Sequence, residues 1–304
     1  MVASPLTAQQ LNGVHQLLDR VAERQRQDFG HIVSDVKPDG TLITACDRWS
    51  DATIVAGLAS LAPGEGVLSE EGVKSVPESP AYWVVDPLDG TTNFAAGIPY
   101  WAISVARCVD GQPMEAFLEV PSLRQRIVAI RGKGAWRNGK RLTPQTRLVA
   151  ESACVSLCSR AIRVLQHRPD HPFPGKIRLL GVASLNLLSV AMGQTVAALE
   201  ATPKIWDLAA AWLVLTELEC PLRWLAANPA DLRPGIVAPA HRHRQTRTPQ
   251  RPFEQAHQIM VRCESNVSLF RKSSSKKLSD LCQKNSRSDS ATSMSWPSAG
   301  RICL

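Results

Sequence analysis

No two cysteines in this 304-residue chain stand at C-x-x-C spacing, although eight are present. They lie at positions 46, 108, 154, 158, 220, 263, 282 and 303, and none has a histidine at ligand spacing. A structural zinc site and a disulfide framework are therefore not expected, and reduced thiols are the default. His241 and His243 form an H-x-H without a nearby thiol or carboxylate, which points to ordinary side chains rather than a metal site. Also lacking is any apolar run of the roughly eighteen residues that a membrane span needs. Aromatic residues are few, at 5%, yet the 44% hydrophobic content is ordinary for a soluble enzyme with room for two cores.

The first 235 residues have no net charge, with 23 Lys and Arg against 23 Asp and Glu, whereas residues 236–304 hold 12 against 4. The whole basic excess of +8 is thus in the last part of the chain. That part is rich in Ser, Arg, Lys, Gln and Thr and shows no sustained helical or strand period, so disorder is expected. Its arginines, Arg242, Arg244, Arg247 and Arg251 among them, could contact nucleic acid or an anionic membrane only nonspecifically. At the other end, Leu6, Leu11, Val14, Leu17, Leu18 and Val21 make an amphipathic helix rather than a signal peptide, so the expected setting is the cytoplasm.

Residues 82–94 carry the most chemistry. Tyr82-Trp83-Val84-Val85 reads as a buried strand, placing Asp86 at its end. Pro87 fixes its own φ and keeps Asp86 extended, so the chain turns and Asp89 comes back beside Asp86. Two adjacent carboxylates share a proton or bind a cation. With only oxygen ligands in view, the Leu88 carbonyl among them, the cation should be hard, Mg²⁺ before Zn²⁺. Gly90-Thr91-Thr92 then reads as the start of a helical turn whose free N–H groups favour a phosphate. A bare D-x-x-D-G is more often an ordinary strand-to-helix loop, with Asp89 or Thr91 as a cap.

The full run from Asp86 to Phe94 is more specific. It resembles the signature of the inositol monophosphatase family, lithium-sensitive, Mg²⁺-dependent phosphomonoesterases related to fructose-1,6-bisphosphatase. Three further segments match at the family's order and spacing. Ser69-Glu70-Glu71-Gly72 precedes the signature. Trp206-Asp207 opens the apolar run 208–215, where Asp207 taken alone would be an N-cap. Gly40 to Asp47, with Lys37 before it, resembles the family's mobile loop and the T-x-x-D that opens its second helix, where Asp47 is equally well an N-cap. The resemblance runs from residue 5 to about 230.

What the resemblance implies can be assigned residue by residue. Glu70, Asp86 and the Leu88 carbonyl would hold one Mg²⁺, and Asp86, Asp89 and Asp207 a second, with Asp86 bridging. Glu70 and Thr91 would orient an activated water for in-line attack on phosphorus, without a covalent phosphoenzyme. Asp89, Gly90, Thr91, Ala183 and Glu200 would contact substrate, Ala183 and Glu200 on the polyol side. Glu200 could accept from the hydroxyls of inositol or pair with the ammonium of histidinol phosphate. The expected activity is therefore Mg²⁺-dependent hydrolysis of a small phosphorylated metabolite, inositol monophosphate first. Histidinol phosphate, fructose 1,6-bisphosphate and 3′-phosphoadenosine 5′-phosphate are the alternatives. Two non-enzyme readings remain beside it: an inactive scaffold, and a nucleic-acid-associated protein acting through the basic tail.

The element pattern gives three parts. Residues 1–145 read as an α+β half: helices at 7–29 and after Asp47, then strands at 101–109, 114–120 and 126–130 with turn signals at Asp110-Gly111 and Asn138-Gly139. Residues 146–235 alternate strand and helix, including a helix near 161–167, and 236–304 is the atypical tail. The family resemblance implies an α+β fold in a layered α-β-α-β-α sandwich, with the site between the halves, and a homodimer. A recognisable final strand and helix are missing, and residues from about 236 are expected to replace them, as a shifted reading frame would.

Overall fold

A computed structural model describes residues 4–144, 153–161, 176–201, 203–226 and 256–262. Helix α1 (Ala8–Asp28) begins at a capping box in which the Thr7 side chain accepts from the Gln10 amide and Gln10 returns a bond to the Thr7 amide. A short antiparallel pair, β1 (Ser34–Val36) and β2 (Leu42–Thr44), leads into helix α2 (Ala45–Leu61). Asp47 is not the N-cap of α2. Thr44 holds that position, and Asp47 is the third helical residue, bonded back to Thr44.

Seven strands form the larger sheet, in the order of the chain: β3 (Gly66–Ser69), β4 (Ala81–Asp89), β5 (Ala102–Val109), β6 (Gln112–Val120), β7 (Gln125–Ile130), β8 (Gly134–Arg137) and β9 (Lys140–Arg141). Only the β3–β4 pair is parallel, in line with the expected meander. Asp110 and Gly111 turn β5 into β6, both with positive φ, as a right-twisted hairpin requires. The short helix α3 (Thr91–Ala95) follows β4 directly.

All nine residues of β4 are buried, because both faces of the sheet are covered. Trp83 and Val85, with Ile103, Val105 and Phe117, pack against Val14, Leu18 and Val21 of α1 and Ile54 and Leu58 of α2. Tyr82 and Val84, with Ala106 and Leu118, face the opposite way. They meet helices α4 (Ala183–Ala191) and α5 (Ile205–Glu217) through Leu185, Leu188, Ala210 and Leu213. The period of two along each strand thus assigns alternate side chains to two cores. Each large apolar side chain buried this way contributes about 1.5–3 kcal/mol relative to exposure.

The second sheet has the order β11–β10–β12–β14–β13, from β10 (Cys154–Leu157), β11 (Lys176–Arg178), β12 (Ala197–Ala201), β13 (Leu222–Ala226) and β14 (Ala256–Arg262). It packs on the far side of α4, completing α-β-α-β layers among the described residues. The helix expected near 161–167 lies almost wholly outside them. The strand β14 corrects the sequence reading: residues 256–262, where no element is expected, sit inside the sheet, antiparallel to both β12 and β13. Ile259-Met260-Val261 is the short apolar run that fits this place, hidden in a basic, proline-rich context. His241 and His243 lie outside the described residues. Among the described residues, Cys46, Cys108, Cys154, Cys158 and Cys220 form no disulfide, and no helix is long and apolar enough to cross a membrane.

Since β14 is the pairing partner of β13 among the described residues, a chain ending at residue 255 should leave β13 without a ladder and expose the edge of β12. A circular dichroism melt of that shortened protein is expected to fall by about 10 °C or more and to broaden. An unchanged midpoint would show that β14 contributes nothing to the sheet.

Candidate active site

The strand β4 does not stop at Asp86 but continues to Asp89. Its ladder to β5 pairs Asp86 with Ser104 and Asp89 with Ala102, three steps on β4 against two on β5. In a regular strand two residues three apart point to opposite faces. The one extra residue of this bulge returns Asp89 to the side of Asp86. The turn is closed by the Leu88 amide, which donates to Asp86 Oδ1 at 3.0 Å. Gly90 follows with φ +102°, and a Cβ there would stand 2.8 Å from Val182 Cγ2, so glycine is required on two counts.

Around this corner the other sequence-marked residues arrive from separate elements. Thr91 Oγ1 lies 2.8 Å from Asp47 Oδ1 and 3.1 Å from the Leu88 carbonyl. Asp47 therefore uses one oxygen on the Thr44 cap and the other on Thr91. Glu70, just after β3, accepts from Lys37 Nζ at 3.0 Å, and Lys37 also bonds Glu71. Asp89 accepts from the Ala183 and Ser184 amides at 3.2 and 2.7 Å, so it caps α4 from across the molecule. Asp207 is not an N-cap: it is the third residue of α5 and accepts from the Lys204 amide at 2.7 Å. Glu200, on β12, is only 4% exposed, which excludes a solvated strand end. Asn186 Nδ2 donates to its Oε1 at 2.6 Å, and Ser156 Oγ donates to Asn186 Oδ1 at 2.8 Å.

The charges of several of these carboxyls act on one another. Burial holds Asp86 well above the usual carboxylate range, and the charges of Glu70, Asp89 and Asp207 push it further. Asp207 is raised by burial first, then by Asp89, Glu70 and Glu200. Burial also raises Glu70, against the pull of Lys37, and raises Asp89, against the amides at the start of α4. Four mutually repelling acids with a backbone carbonyl beside them make an all-oxygen donor set suited to a hard cation. Among the described residues, no three His, Cys, Asp or Glu side chains are yet drawn together as a ligand set. Glu70, Asp89 and Asp207 are instead each turned onto an internal donor.

Gln25 and Asn186 are the polar residues that sequence reasoning passes over. Gln25 continues the buried stripe of α1 after Val21 and Ala22, and a polar residue on an apolar stripe is a signal that could have marked it. Asn186 sits among Leu185, Leu187 and Leu188 in the same way. A cavity of about 580 Å³ lined by His15, Asp19, Arg26, Glu119, Arg126 and Trp136 shares no residue with the carboxylate corner.

Comparison with known proteins identifies the family and the fold. The Inositol monophosphatase family pattern matches residues 4–260, which reaches well past residue 230 and through most of β14. A histidinol-phosphatase of Mycobacterium tuberculosis is 33% identical over 215 residues, covering 66% of this chain and 82% of the relative. Inositol monophosphatase 1 of Bos taurus is 30% identical over 228 residues, covering 70% and 80%. The solved structure of the Thermotoga maritima IMPase superposes with a TM-score of 0.72 over 90% of this chain and 98% of that one, at 21% identity, which establishes the same layered fold. The chain belongs to the inositol monophosphatase family and is a phosphoric monoester hydrolase.

Proposed function

We propose that the protein hydrolyses the phosphomonoester of a small polyol, inositol monophosphate before histidinol phosphate, with Mg²⁺ as cofactor. The observation that supports this most directly is the β4 bulge, which sets Asp86 and Asp89 on one side facing Glu70 and Asp207. Glu70, Asp86, the Leu88 carbonyl, Asp89 and Asp207 would hold the metal. When bound, Mg²⁺ supplies positive charge against the phosphate and lowers the pKa of water.

The protein's own groups do the rest. Thr91 gives its hydroxyl proton to Asp47 or the Leu88 carbonyl, which leaves oxygen lone pairs to accept from the attacking water. Asp47 can take the proton that passes through Thr91, and Glu70 orients the same water. The backbone amides of Gly90 and Thr91 would hold phosphate oxygens as negative charge grows. Ala183 and Asp89 close the far side, where the substrate's alcohol departs.

Glu200 favours a polyol. Burial lifts its carboxyl to about 8 and Asp89 adds to the shift, against the stabilising Asn186 bond. A carboxyl that keeps its proton near neutral pH both donates to and accepts from a hydroxyl, whereas an ammonium calls for the ionised form. The relationship to a histidinol-phosphatase keeps the second reading in play. Homodimerisation and a cytoplasmic setting belong to the same reading and rest on family membership.

Phosphate release from inositol 1-phosphate, histidinol phosphate, fructose 1,6-bisphosphate and 3′-phosphoadenosine 5′-phosphate, with Mg²⁺ and with added lithium, tests the assignment. Inositol 1-phosphate should give the highest kcat/KM, and preference for histidinol phosphate would reverse the reading of Glu200. Asp86→Asn should lower Mg²⁺-dependent turnover by at least about 100-fold while the metal-free protein melts no lower than wild type, since one of four repelling acids is gone. Turnover near the wild-type rate would remove the bridging role.

Glu200 also sets a pH dependence of stability. Between its ordinary value of 4.5 and about 8 the folded protein holds a proton that the unfolded chain has released. Stability therefore falls as pH rises through that window, and the loss is complete above the folded value. Glu200→Gln should flatten the fall, so that in metal-free buffer the variant matches wild type near pH 4 and exceeds it near pH 8 by on the order of a few kcal/mol. Parallel denaturant titrations at both pH values measure it, and equal slopes with pH would refute the assignment.

A further inference from the structure

The bulge that aligns Asp86 and Asp89 interrupts the β4–β5 ladder at residues 87 and 88, and a buried carbonyl released from a ladder needs another donor. Pro87 has no N–H, so the carbonyl is the one main-chain polar group that this residue can offer a partner. Gln25 is that donor. Its Nε2 donates to the Pro87 carbonyl at 2.7 Å and to Ser50 Oγ at 3.1 Å, while Trp101 Nε1 donates to its Oε1 at 3.0 Å. An indole N–H can only donate and a prolyl carbonyl can only accept, so the partners themselves fix which way the amide points. The side chain is fully buried. Phe29, Phe94 and Trp101 pack ring on ring at centroid distances of 4.6 to 5.6 Å, and Trp101 of this cluster is the indole bonded to Gln25.

We propose that Gln25 is a positioning residue for the carboxylate loop: by clamping the Pro87 carbonyl it fixes the peptide between Asp86 and Leu88, and with it the directions of the Leu88 carbonyl and the Asp89 carboxylate. The consequence for metal binding rests on the phosphatase reading above, but the clamp itself does not. The other main-chain polar groups of residues 87 and 88 are already committed, the Leu88 amide to Asp86 and the Leu88 carbonyl to Thr91, so the Pro87 carbonyl is the group through which Gln25 of α1 holds the loop. The same amide joins α1, α2, β4 and Trp101, the residue before β5, at one point.

Gln25→Met keeps the volume and removes the donor, and Trp101→Phe removes a bond to Gln25 while leaving Pro87 held. Amide hydrogen exchange in metal-free protein is expected to quicken about tenfold at residues 88–91 in Gln25→Met and to stay near wild type there in Trp101→Phe, although both variants melt lower. Calorimetric titration with Mg²⁺ should then show about tenfold weaker binding in Gln25→Met only. Gln25→Asn, one methylene too short to reach Pro87, makes the same test if the methionine variant does not fold. Unchanged exchange at 88–91, or the same acceleration in both Gln25→Met and Trp101→Phe, would overturn the clamp. Loosened exchange in a protein whose wild type takes up no Mg²⁺ would uphold the clamp and sink the Mg²⁺ assignment of the site.

Discussion

One extra residue in β4 is the constraint on which the site depends. Asp86 and Asp89 are three apart, and a regular strand would send their carboxyls to opposite faces of the larger sheet, one toward α1 and one toward α5. The bulge abolishes that separation locally while the strand as a whole stays buried on both faces. It also costs two ladder positions, which are filled from outside the sheet: Asp86 takes the Leu88 amide, and Gln25 takes the Pro87 carbonyl. Gly90 ends the distortion with a backbone that only glycine adopts freely, packed so closely on Val182 that no side chain would fit.

Bringing the acids together creates a second problem, repulsion in a buried place, and the fold answers it with donors at each carboxyl. Lys37 reaches Glu70 from the β1–β2 loop, the first amides of α4 meet Asp89, and the Lys204 amide meets Asp207. These donors offset the cost only in part, since all four carboxyls stay above their ordinary range, through burial first and, for Asp86, Asp207 and Glu70, through neighbouring carboxylates as well. The residual imbalance is what a divalent cation would relieve, which gives the cluster a thermodynamic pull toward such an ion.

Much of this was legible in the residues. The nine-residue run, the acidic pair at Glu70 and the Asp207 helix start, taken with the family resemblance, led to the fold and to the candidate site, and α1 and the β5–β6 hairpin carry clear periodic and turn signals. What was not legible follows from tertiary contacts. The positions of Asp47 and Asp207 as third helical residues depend on where the helices begin, and each N-cap lies three residues earlier than the aspartate suggests. A bulge has no local signature here, because Pro87 suggests a turn after Asp86 and the pairing to Ser104 and Ala102 shows only when β5 is beside it. Gln25 and Asn186 each contradict the apolar pattern around them, yet nothing in the pattern says what they bind.

The strand least visible in the sequence supports the side of the candidate site where Glu200 lies. Glu200 lies opposite Ile259 in the β12–β14 ladder, so β14 backs the backbone that presents Glu200 to Asn186. The next strand outward, β13, follows directly from α5, the helix that carries Asp207. A basic, proline-rich sequence surrounding β14 therefore does not make that strand an appendage. Composition averaged over residues 236–304 describes solvent-loving chain, whereas the seven residues 256–262 occupy an interior strand between β12 and β13. Average polarity cannot reveal this, because an interior strand needs only a few apolar residues once its neighbours supply the hydrogen bonds.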